Sequence, residues 1–119
     1  MPKPLQVLTL LKEVPFPSAY RLFERFPFSD TIFFSVQGSI DHECLPLDTI
    51  EPTKYTSMEV AFFKNNEFCE AKEVVTDVTL LADLEPYFLD HRCCYAEVPV
   101  KLIDRIHLWL TFHYDEKIS

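Results

Sequence analysis

The chain falls into short segments whose hydrophobic period keeps changing. Residues 5–11 are nearly all apolar and β-rich, which fits a buried strand, with a helical turn as the alternative. After Pro15 and Pro17, Ser18 can cap a helix on which Ala19, Leu22, Phe23 and Phe26 recur at the spacing of one helical face. Arg21, Glu24 and Arg25 fall on its other side, and Pro27 ends it by disfavouring helical backbone at the residue before it. Residues 31–37, rich in β-branched and aromatic side chains, predict a strand closed by Gly38. Residues 39–54 have no sustained period and predict a long loop, the kind of segment that is often functional or mobile.

The clearest local pattern lies in 57–75. Met58, Val60 and Phe62 alternate with Glu59 and Ala61, and Asn65-Asn66 supplies a turn, because Asn tolerates positive φ. Taking these two residues as the loop sets Lys64 opposite Glu67, Phe63 opposite Phe68, Phe62 opposite Cys69 and Glu59 opposite Lys72. Two opposite-charge pairs and one aromatic pair then face each other directly across the strands, which supports both hairpin and register.

Asp77 can cap a second helix with Leu80, Leu81, Leu84 and Phe88 on its buried side, shortened or kinked by Pro86. Residues 93–98 read as a strand. Ile106, Leu108, Leu110, Phe112 and Tyr114 then alternate with Arg105, His107, Trp109, Thr111 and His113. This period of two predicts a strand over 105–114 with Ile106, Leu108, Leu110 and Phe112 buried. The resulting order, β-α-β-β-β-α-β-β, implies one α+β domain over 1–119. It would hold a mostly antiparallel sheet of five to six strands with two short helices, and a ferredoxin-like split is its nearest common arrangement.

Composition narrows the functional classes. At 119 residues there is room for one domain, and 48% apolar residues argue against disorder. No apolar run approaches the ~18 residues of a membrane span. Gly38, the single glycine, cannot build a P-loop or a dinucleotide-binding turn, both of which need several. The basic, apolar start lacks a small-x-small cleavage site, and no lipidation box is present. The four cysteines therefore read as buried thiols of a cytoplasmic protein rather than a disulfide framework.

The formal charge is −8, and residues 41–91 hold three basic and twelve acidic side chains, net −9. Phosphates would be repelled by such a surface, so direct nucleic-acid binding is disfavoured, whereas a basic protein partner would be steered towards it.

Candidate chemistry is sparse. Asp41-His42-Glu43-Cys44 and Asp90-His91-Arg92-Cys93 would give a Cys2His2 zinc site if both His-x-Cys pairs met, but the spacing matches no standard zinc motif. The neighbouring thiols of Cys93 and Cys94 would diverge on a strand, which disfavours redox chemistry. There is no G-x-S-x-G elbow, HExxH or deaminase pattern. No catalytic residue, metal or cofactor is assigned.

Two candidate binding surfaces remain. One is the acidic loop with Asp41, Glu43, Asp48 and Glu51. The other is the outer face of the last predicted strand, with His107, Trp109 and His113, open to a ligand, a partner or a second copy of the chain in a homodimer. The expected function is a small acidic interaction module, of inhibitor or immunity type, that engages a basic partner. The alternative is a ligand-binding protein or enzyme with a pocket between sheet and helices.

Overall fold

A computed structural model describes residues 7–14 and 21–115, without the side chains of His91 and Asp115. Six strands form one sheet: β1 (Phe26–Pro27), β2 (Ile32–Gln37), β3 (Ser57–Lys64), β4 (Glu67–Cys69), β5 (Phe88–Leu89) and β6 (Cys94–Pro99). Two α-helices, α1 (Val78–Leu84) and α2 (Val100–Asp115), complete an α+β domain. The sheet runs β1-β2-β3-β6-β5, with β4 also paired to β3, and every pairing is antiparallel. The central parallel pair of a ferredoxin-like split is therefore not present in this sheet.

Pleating sends alternate side chains to opposite faces. On the inner face Ile32, Phe34 and Val36 of β2 join Met58, Val60 and Phe62 of β3, all buried. Leu102, Ile103, Ile106 and Leu110 of α2 and Leu80 and Leu84 of α1 belong to the same core. Phe62 anchors it, with its ring centroid 5.1 Å from Phe34 and 5.8 Å from Tyr95.

The hairpin forms in the expected register, with Lys64 opposite Glu67, Phe63 opposite Phe68 and Phe62 opposite Cys69. Asn65 and Asn66 carry φ of 55° and 65°, the two positive values that a tight primed turn requires. The fourth expected pair is absent. β4 stops at Cys69, and Glu70 opens a 3₁₀ turn over Ala71–Glu73 through a reciprocal capping box with Glu73. This local capping wins over strand extension, and β6 takes the rest of that edge of β3, at Val60, Met58 and Ser57, so Glu59 and Lys72 are not paired.

The second predicted helix is present as α1. Asp77 caps it by accepting from the N–H groups of Thr79 (2.9 Å) and Leu80 (3.0 Å). Pro86 follows it inside a 3₁₀ turn, Glu85–Tyr87, so the helix ends early and Phe88 enters β5 rather than the helix.

The C-terminal element corrects the expected strand: residues 100–115 are helical. Ile106, Leu110 and Tyr114 are four apart, which satisfies a period of two and a helical face equally well. Leu102 and Ile103 extend the helical face and are buried too. Leu108 and Phe112 fall on the opposite side, 45% and 73% exposed, so neither is a core residue.

Near the N-terminus, Val7–Leu10 is a 3₁₀ turn rather than a strand, tied to α2 by the Val7 N–H on Asp104 Oδ1 at 2.8 Å. The first part of the expected helix lies outside the described residues. From Arg21 onward the chain is not helical: Phe23 bridges Glu13 in antiparallel fashion and Phe26–Pro27 is β1. The apolar spacing there serves burial of Phe23 on the sheet rather than a helical stripe.

The long loop is firmly packed. Ser39, His42 and Cys44 are buried, and the Arg21 guanidinium donates to Gly38 O (2.6 Å), Ile50 O (2.7 Å) and Tyr55 Oη (2.8 Å). Gly38 is needed at the start of this loop, because a Cβ there would lie 2.9 Å from the Tyr55 ring and 2.7 Å from Met58 Cε. Among the described residues no helix is long and apolar enough to cross a membrane.

Candidate functional site

The outer face of the sheet is built differently from the inner one. Where β2 and β3 turn away from the helices they carry Ser35, Gln37, Glu59 and Ala61, four small or polar side chains that leave a hollow rather than a second apolar layer. Phe63 and Phe68, packed at 4.5 Å, close one end of this hollow. The 22–25 segment forms a wall, held by Gln37: its Oε1 accepts from Phe23 N–H and its Nε2 donates to Phe23 O, both at 2.8 Å. Asp41 and His42 from the long loop, and Arg92 from the turn before β6, close the other end. The result is a pocket of about 780 Å³. None of its lining residues comes from α1 or α2, so it lies on the face opposite the one expected for a pocket between sheet and helices.

Glu59 is the central group of the polar end, and only 9% of the residue is exposed. Its Oε1 accepts from the Glu43 backbone N–H at 3.3 Å and lies 3.4 Å from Arg92 Nη2. Arg92 Nη1 lies 3.5 Å from Glu43 Oε1, so one guanidinium serves two carboxylates. His42 Nδ1 and Ser39 Oγ form a hydrogen bond of 2.7 Å. Burial pushes the His42 pKa below its usual value, against the opposing pull of Glu59 and Asp41, and the ring is neutral at pH 7. At the opposite end the Arg25 guanidinium lies 4.0 Å over the Phe33 ring and 4.9 Å from that of Phe63, and donates to Asn66 Oδ1 at 3.0 Å.

The residues singled out in the sequence separate into three places. Asp41 lines the pocket, and Glu43 stands behind it on Arg92. Asp48 and Glu51 are exposed on the far stretch of the loop and do not line the pocket. Asp48 contributes its backbone carbonyl to Tyr55 Oη at 2.5 Å, and Glu51 precedes a 3₁₀ turn at Pro52–Lys54.

His107, Trp109 and His113 do not share a strand face. His107 sits edge-on to Phe26 and Phe28, with centroids 5.0 and 5.6 Å away, and burial lowers its pKa. Trp109 and His113, one helical turn apart, stack at 4.4 Å, and Trp109 enters a shallow groove with Leu108, Phe112 and α1.

The pocket residues Ser35, Gln37, Glu59 and Arg92 had not been singled out as functional. Their signal is the polar set in the alternating strands: Ser35 and Gln37 in 31–37, and Glu59 in 58–62.

His42 and Cys44 do not form half of a metal site among the described residues, where no group of three or more His, Cys, Asp and Glu is placed to hold an ion. The side chain of His91 lies outside that set. Cys44 donates to Ser39 O (3.2 Å) and Pro46 O (3.4 Å). Burial pushes the Cys69 and Cys94 thiols up to about 11, so both stay protonated and weakly nucleophilic at neutral pH.

Protein-family models, curated proteins and solved structures give no match to this chain.

Proposed function

We propose that this chain is a small-molecule-binding protein whose ligand lies on the outer face of the sheet. The observation that carries this reading is the hollow itself. Two successive outward positions on each of β2 and β3 hold polar or small side chains, and two loops and a clamped segment wall them in. Its volume of about 780 Å³ falls inside the roughly 300–1,000 Å³ of ordinary ligand pockets, and apolar side chains from Leu22, Phe23, Ala61, Phe63 and Phe68 meet a polar end at Asp41, His42, Glu59 and Arg92. No reaction is assigned.

The test is a titration of single-ring aromatic and short aliphatic compounds followed by amide chemical shifts. Perturbations are expected to cluster on Ser35, Gln37, Glu59, Ala61 and Phe63 and to vanish in Ala61→Trp, which fills the floor. Scattered perturbations, or perturbations that persist in Ala61→Trp, would overturn the reading.

A second reading, an acidic module for a basic protein partner, is supported by the loop. Asp48 and Glu51 are exposed there beside Ile40 and Leu47, each 61% exposed. Charges at a rim act mainly on association rate. Reversing Asp48 and Glu51 to Lys should slow association with such a partner and flatten its salt dependence, with folding unchanged. Association that ignores the reversals would leave the acidic loop as a solvated surface.

A further inference from the structure

We infer that the ligand of the outer-face pocket is an organic cation, an amine or guanidine on an apolar or aromatic body, whose charged head is received by Glu59 and Asp41. The inference rests on the pocket reading above.

The polar end carries the carboxylates of Asp41, Glu43 and Glu59 against the single guanidinium of Arg92. Each terminal nitrogen of Arg92 already faces a carboxylate, Nη1 that of Glu43 and Nη2 that of Glu59. An incoming anion could use only the donors of Arg92 left over from these two contacts, and it would lie among three negative charges with one guanidinium to offset them. His42, held neutral, offers no compensating charge. A cation meets the opposite situation. A carboxylate can accept about four hydrogen bonds. The described contacts of the Glu59 carboxylate are one backbone N–H and one guanidinium nitrogen, so it has acceptor capacity left. Its burial removes competing water, which strengthens its preference for a positive partner.

The rest of the pocket suits the body of such a ligand. Ala61, Phe63 and Phe68 supply an apolar floor and end, and Leu22 and Phe23 a wall. Arg25, the other lining cation, does not cancel the negative end. It is stacked at the aromatic end, and the four residues of β3 from Glu59 to Phe63 span about 13 Å. At that separation Arg25 acts on the head group far more weakly than carboxylates in direct contact with it, because the interaction falls off with distance.

Three probes of like shape test this: 2-phenylethylamine, 2-phenylethanol and 3-phenylpropionate, titrated into wild type, Glu59→Gln, Asp41→Asn and Ala61→Trp. The amine is expected to bind wild type about tenfold more tightly than the alcohol, as a charged hydrogen bond at a buried carboxylate implies, with the propionate weakest. Glu59→Gln keeps an acceptor for the Glu43 N–H and should remove most of the amine's about tenfold advantage over the alcohol. Asp41→Asn, at an exposed position that can be altered without disturbing the core, should give a smaller loss in the same direction.

If the alcohol or the propionate binds wild type as well as the amine does, and Ala61→Trp abolishes that binding, the cation assignment is overturned and the pocket stands. An amine preference that survives both Glu59→Gln and Asp41→Asn also overturns the assignment. If none of the three binds wild type, or all bind Ala61→Trp equally well, the pocket reading falls with it.

Discussion

Leu110→Ala is expected to destabilise the protein by about 2–5 kcal/mol and Phe112→Ala by less than about 0.5 kcal/mol, although Phe is the larger side chain. The contrast follows from the geometry of α2. Leu110 is fully buried against the inner face of the sheet, so truncation loses its transfer free energy and leaves a cavity among Phe34, Val60, Phe62 and the other core residues. Phe112, two residues on, has turned through about 200° of helix and is 73% exposed, so truncation removes little that folding had buried. A strand over the same residues would place both side chains in the core and make the Phe substitution the costlier one. Urea unfolding of the two variants with an unchanged m-value decides the matter: equal losses, or a larger loss for Phe112→Ala, would contradict a helix here.

The reason this element was misread lies in its residues. Ile106, Leu110 and Tyr114 fit both periods, and the exposed apolar pair Leu108 and Phe112 completed a false alternation. The true helical signal, Leu102 and Ile103 continuing the face towards the N-terminal end, lies outside the alternating window. The hairpin was legible because its evidence is local: a turn pair able to adopt positive φ and cross-strand partners within seven residues of each other. The failed fourth pair, Glu59 with Lys72, shows where local extrapolation ends, since the capping box at Glu70 and Glu73 diverts the chain first. The capped helix at Asp77 was legible for the same local reason.

The site was only partly legible, because it is made by contacts distant in sequence. Arg92 meets Glu43 across 49 positions, and Arg21 fastens a loop 29 positions away through Ile50. Asp41 stands out in the sequence for its charge in the acidic loop, whereas the pocket it lines depends on residues far from it in the chain. His42 was considered as a metal ligand; what the structure gives it is a hydrogen bond to Ser39 and a place in the pocket wall. The outward polar residues of β2 and β3 were visible, but an alternating strand says only that they face away from the core. Whether they meet solvent or a walled pocket depends on where the 22–25 segment lies, and that is set by Gln37 in its middle together with Arg21 and β1 at its ends.

Gln37→Leu is therefore expected to cost on the order of 2 kcal/mol or more and to loosen the pocket wall. Gln37 acts as a substitute strand: its amide satisfies both the N–H and the C=O of Phe23, while Nε2 also donates to Ser35 Oγ at 3.0 Å. Backbone bonds hold the same segment to the 12–14 stretch, Glu24 N–H on Lys12 O at 2.7 Å and Val14 N–H on Leu22 O at 2.9 Å; Arg21 and β1 tie its two ends to the sheet, and Gln37 holds its middle. Leu keeps the approximate volume, so the loss comes from two backbone groups left without partners rather than from a cavity. Ser35→Ala removes only one of the acceptors of Nε2 and should cost about 0.5–1.5 kcal/mol, with the wall intact. Hydrogen exchange separates the two effects. In Gln37→Leu the amides of residues 22–25 should exchange faster than those of β2 and β3, and binding at the outer face should fall with them. In Ser35→Ala both should stay close to wild type. If Gln37→Leu unfolds at the wild-type urea midpoint with protected amides at 22–25, the wall is held by something other than this clamp.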